Sequence, residues 1–255
     1  MRRILLSLLL LPILFIGCAE FSQVIENQQT GSPLTQQDVI NGLKEALKVG
    51  INIAAGELSR QDGYYGNEML RILLPEEART ITENLHRIPG GEALLNEVIL
   101  RINRSAENAA REVIPVFTDA ISALSIPDAF EILRGNNDAA TRYLRDKTHE
   151  RLFSLYQPKI KDSLDKRLVG NLSTNDSWEK LSTQWNRIAG SIAGQIAGFE
   201  KVDIELDRYL TGRALEGLFS KLAEEEAKIR NNPRARVSEL LQRVFGSREA
   251  GRRGM

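Results

Sequence analysis

Cys18 is the only cysteine in the 255 residues, and it follows Met1-Arg2-Arg3 and the apolar run Ile4 to Ile16. A thiol can hold a metal, pair with another thiol, attack a carbonyl or accept acyl chains. With no second cysteine, disulfides and Cys-x-x-Cys metal motifs drop out. The other residue types suited to chemistry are sparse or wrongly spaced. His86 and His149 stand more than sixty positions apart, and neither belongs to a His-x-x-x-His or His-Glu-x-x-His pattern that would set two ligands on one helix face. No Ser sits between glycines as in a nucleophile elbow, and no Gly-Lys-Ser or Gly-Lys-Thr offers a phosphate cradle. The sequence therefore predicts no metal, no cofactor and no catalytic residues, and leaves acylation as the chemistry of Cys18.

A basic start, a short apolar segment and a small residue before the cut describe a secretory signal peptide. Leu14-Phe15-Ile16-Gly17-Cys18 resembles the bacterial lipobox, in which the cysteine is acylated and becomes the new N-terminus; Phe15 stands where that pattern has leucine. The alternative, a transmembrane anchor, is too short. At 1.5 Å per residue the run covers about 20 Å of a hydrocarbon core roughly 30 Å thick. Residues 1–17 are thus expected to be a cleaved signal peptide. Cys18 is the expected lipid attachment, and 18–34 the expected flexible tether, with an r.m.s. reach of roughly 20 Å. The expected partner is a membrane, reached through acylated Cys18.

Two segments combine residues able to recognise a ligand. Asp62-Gly63-Tyr64-Tyr65-Gly66-Asn67 packs a carboxylate, two phenols and an amide between helices, so Asp62, Tyr64, Tyr65 and Asn67 form one candidate binding surface. Its plainer reading is a helix–helix turn with Gly63 and Gly66 at positive φ and the tyrosines on the core. Trp178 and Trp185, with Leu181 and Ile188, share one helix face next to three Ile-Ala-Gly repeats at 188–198. Tryptophan favours membrane interfaces, so residues 177–199 are a candidate contact for lipid or a partner helix, against core packing as the simpler reading. The repeat is expected to be an irregular connection, because three glycines in a helix cost about 1 kcal/mol each. Lys228, Arg230, Arg234 and Arg236 are expected to cap a helix end, with contact to an anionic head group as the alternative. Arg104, Glu107 and Arg111, at three- and four-residue spacing, are expected to be solvated surface pairs.

The elements that position these residues read as helices throughout. Val39, Leu43, Ala46, Leu47, Ile51 and Ala54 give a first helix beginning at Thr35 and ending near Ser59. Pro75-Glu76-Glu77 opens a second, which Pro89-Gly90-Gly91 ends. Glu92 to Leu124 is the longest periodic stretch, and Pro115 should bend or divide it. Ser125 and Asp128 should cap a helix from Ile126 to Arg134, closed by Gly135 at a left-handed position. Further helices are expected from Asp138 to about Tyr156, with a break at Pro158 and a resumption to Val169, and then at Asp203–Arg230 and Val237–Phe245. No alternation marks strands. The expectation is an all-α multi-helix bundle: one domain at 35–246 and a disordered basic tail at 247–255.

The segments LKEALKVGI (43–51), LSRQDGYYGN (58–67), NRSAENAAREVIPVF (103–117), AATRYLRDKT (139–148), YLTGRALEGLF (209–219) and the closing EEEAKIRNNPRARVSELLQRVFG resemble the bacterial domain-of-unknown-function family 4197. That resemblance implies an exported, signal-bearing helical domain and carries no functional residues to map.

Removing Arg2 and Arg3 with the leader leaves 32 basic against 34 acidic side chains. No electrostatic footprint for nucleic acid follows from that balance. The reading that results is a lipid-anchored cell-envelope protein, not an enzyme, that binds or scaffolds a protein partner. Ala19 in place of an aspartate after the cysteine points to the periplasmic leaflet of the outer membrane over the inner membrane. Two alternatives stay open: a lipid or small-ligand carrier with an apolar cavity, and a hydrolase whose carboxylates converge only in the fold.

Overall fold

The computed structural model describes residues 33–127 and 129–251. The expected leader, Cys18, nearly all of the tether and the Asp128 cap lie outside the described residues. Contacts separate Met1–Thr35 from a compact unit, Gln36–Met255. The described part of that unit is all helical: α1 Gln36–Leu58, α2 Arg79–Glu83, α3 Gly91–Ala110, α4 Val113–Ala123, α5 Ala129–Arg134, α6 Ala139–Leu164, α7 Thr174–Ala189, α8 Ile192–Ile196, α9 Leu206–Asn231, α10 Glu239–Phe245 and α11 Arg248–Gly251. The chain is an all-α, multi-helix domain.

Helix α9 is the axis of the bundle. It buries Leu210, Ala214, Leu215, Leu218, Phe219, Leu222 and Ile229, a set too wide for one stripe because neighbours pack on more than one side. α1 and α6 both run antiparallel to it. Gly50 lies against Leu222 and Tyr64, just past α1, reaches Ala214, while on α6 Thr141 meets Glu226 and Gln157 meets Asp207. Missing side chains set the closeness of these contacts. A Cβ at Gly42 would stand 2.7 Å from Val244 of α10, and one at Gly217 2.6 Å from the Tyr64 ring. α3 crosses behind, its Ser105 bonded to Ser163 of α6 and Thr174 of α7. Phe117 of α4 closes on Phe219 at 5.3 Å between ring centroids.

The division expected near Pro115 is present, and several other expected elements take a different form. The 92–124 stretch is divided at Arg111–Glu112, just ahead of Pro115. This makes the proline the third residue of α4, where the missing N–H has no helical acceptor to lose. Pro158, by contrast, does not break α6, which continues through it and ends at Leu164, short of Val169. Leu152, Tyr156, Ile160 and Leu164 are all buried on the two sides of the proline, and their burial offsets a helix-interior proline's cost of about 3 kcal/mol. Residues 75–89 form a 3-10 turn, the short α2 and a second 3-10 turn instead of one helix. Asn84 ends α2, turning its amide back to the Thr80 carbonyl at 3.0 Å.

Gly135 is not left-handed; a Cβ there would meet that of Ala139 at 2.8 Å, so close approach is what excludes a side chain. The segment expected to be a disordered tail contains α11, with Ala250 buried. α7 carries a capping box that the sequence reading passed over: Ser173 accepts from the Asp176 N–H, and Asp176 accepts from the Ser173 N–H, both at 3.0 Å. These bonds hold the Asp176 carboxyl below its ordinary range.

Candidate functional site

The 62–67 segment is a turn locked onto α3. Glu107, 4% exposed, accepts the backbone N–H groups of Tyr64 and Tyr65 at 3.2 and 3.1 Å. Arg104 clasps the same carboxylate at 2.6 Å and reaches Asp62 at 2.8 Å. The expected solvated pair at 104 and 107 is therefore a buried clamp, because the loop covers that face of α3; Arg111 likewise bonds Ser59. Tyr64 is fully buried with its hydroxyl donating to the Ala214 carbonyl at 2.8 Å. Burial raises its pKa well above the usual phenol. Tyr65 lies between guanidinium groups, Arg71 at 4.5 Å and Arg104 at 5.5 Å from its ring. Asn67 turns inward on the loop, its Oδ1 accepting from the Met69 N–H.

Positive φ falls on Asp62 (66°) and not on Gly63 or Gly66. Those glycines are needed for approach: a Cβ on Gly63 would sit 2.5 Å from the Leu58 carbonyl oxygen, and one on Gly66 2.8 Å from that of Asp62. All four candidate residues of this loop thus have partners within the fold, which favours the turn reading over a ligand site.

An open cleft of about 600 Å³ lies between α6 and the N-terminal half of α9. Phe153 is among the residues that line it. Arg208 lies 5.7 Å over the Phe153 ring and His149 6.3 Å from it. Tyr209, on the rim, donates to the Leu73 carbonyl at 2.7 Å, and partial burial raises its pKa. Asp203 and Glu216 add carboxylates. These groups offer an aromatic face, a guanidinium and hydrogen-bond acceptors, an arrangement suited to binding. Sequence reasoning missed the cleft because its residues come from α6, α9, the 75–77 turn and the 203–205 segment, and their convergence is a property of the tertiary packing. The periodic rows His149/Glu150/Phe153 and Arg208/Tyr209/Gly212/Arg213 were the available signal.

A family model described as a protein of unknown function, DUF4197, matches residues 33–246. The chain belongs to the DUF4197 family. No curated protein and no solved structure matches it. The matched DUF4197 region runs from just before α1 to the end of α10, and so takes in the locked turn, the cleft and both tryptophans.

Within the DUF4197 domain the tryptophans belong to the core. Trp185 is fully buried, its Nε1 donates to the Glu200 carbonyl at 2.9 Å, and its ring lies 5.2 Å from Phe199. Trp178 is 8% exposed. The idea that these two rings meet lipid is corrected: the face they share packs inward, against α3 and the 199–202 strap. The Ile-Ala-Gly repeat forms neither one helix nor a glycine stripe. Gly190 caps α7, Gly194 is buried where a Cβ would stand 2.2 Å from the Ile188 carbonyl oxygen, and Gly198 turns the chain at φ 73°.

The four expected capping cations divide. Arg236 does cap α9, donating to the Ile229 and Arg230 carbonyls, whereas Arg230 is buried on Glu226 and bonded to α5. Among the described residues no group of three or more His, Cys, Asp or Glu side chains is placed to hold a metal, and no helix is long and apolar enough to cross a membrane.

Proposed function

We propose that this chain is a lipid-anchored protein of the cell envelope, with the periplasmic face of the outer membrane as its address. Its helical domain binds or scaffolds a partner and catalyses no reaction. The observation that carries the anchor is the order Met1-Arg2-Arg3, a thirteen-residue run that is apolar except at Ser7 and Pro12, then Gly17 and Cys18, followed by polar sequence. More than one acyl chain on the cysteine would give stable anchoring without a membrane-crossing helix.

A binding role is supported by where the polar groups are spent. Among the described residues the buried carboxylates Glu107 and Glu226 are each occupied by backbone N–H donors and an arginine, and the buried Glu225 is paired with Lys228. One surface that remains open is the charged α6/α9 cleft, lined by Phe153 and Tyr209 among others. The contacts of α1 and α9, close enough that Gly42, Gly50 and Gly217 have no room for a Cβ, favour a filled core over an apolar carrier cavity.

Growing a bacterium that exports the chain on an alkyne-bearing fatty acid, and clicking a dye to the purified protein, tests the anchor. The native chain is expected to carry the dye and the Cys18→Ser chain to lack it. An unlabelled native chain, or a variant labelled equally, would contradict the proposal.

A further inference from the structure

We draw no further inference here: the strongest candidate, the exposed apolar patch of Ile192 and Ile196 on the short helix α8, carries nothing, because Asp176 and Glu179 stand among the cations of the adjoining groove and nothing in the structure shows what covers the patch.

Discussion

Replacing Arg230 with alanine is expected to destabilise the domain by about 3–5 kcal/mol, the loss typical of leaving one member of a buried ion pair without the other. Arg230 and Glu226 meet at 2.7 Å with both side chains 1% exposed. Each also completes the end of another helix. Glu226 accepts the N–H groups of Ala140 and Thr141 at the start of α6, at 3.0 and 2.7 Å, and the Thr141 hydroxyl at 2.7 Å. Arg230 donates to the carbonyls of Leu133 and Ile132 at the end of α5, at 2.8 and 3.1 Å. A positive group at a helix C-terminus and a negative one at an N-terminus each match the helix dipole they face. Removing the guanidinium therefore leaves a buried carboxylate without its counter-ion and two α5 carbonyls without their donor.

Glu226→Gln, which keeps an acceptor but not the charge, should lose less than Glu226→Ala. Urea unfolding of the two single variants and the double variant would give the coupling as a thermodynamic cycle. A loss below about 1 kcal/mol for Arg230→Ala would mean that water reaches the pair.

Trp185→Ala should cost about 3–5 kcal/mol, as large-to-small changes of core aromatics do. The indole is fully buried, and its N–H is bonded to the strap that leads from the α8 tip into α9. Losing it removes the floor under Phe199, over which Arg87 lies at 5.0 Å. The unfolding midpoint in denaturant measures the loss. Ile192→Asp, a few residues away, should leave that midpoint unchanged because its side chain is 80% exposed. Unchanged stability for Trp185→Ala together with lost vesicle binding would return the tryptophan to the membrane surface and contradict the packing described here.

This segment also shows how far the sequence reaches. The spacing of Trp178, Leu181 and Trp185 identified a buried helix face, but tryptophan's taste for interfaces could not say what buried it. Ile192 and Ile196 of the repeat, read as an irregular connection, turned out to be exposed on a short helix between Gly190 and Gly198. The ends of α1 and the division near Pro115 were legible because hydrophobic period and proline chemistry act locally. Pro158 was misread as a break because whether a helix tolerates proline depends on the packing of Tyr156 and Ile160, which is tertiary. Glu107 was misread for a related reason: Arg-x-x-Glu looks the same on a solvated face as under a loop that lends its N–H groups. The glycines at 63, 66 and 135 were correctly marked as special, but the cause is proximity to other atoms and not handedness, and proximity cannot be read from a single sequence.

The account depends most on the covalent state of the N-terminus. Intact mass measurement of the native chain, extracted from membranes and purified, tests it directly. The predicted species begins at Cys18, lacks residues 1–17 and carries the added mass of fatty acyl chains on that first residue. A chain beginning at Met1 with an unmodified thiol would contradict the anchor, and with it the envelope address on which the binding role is proposed.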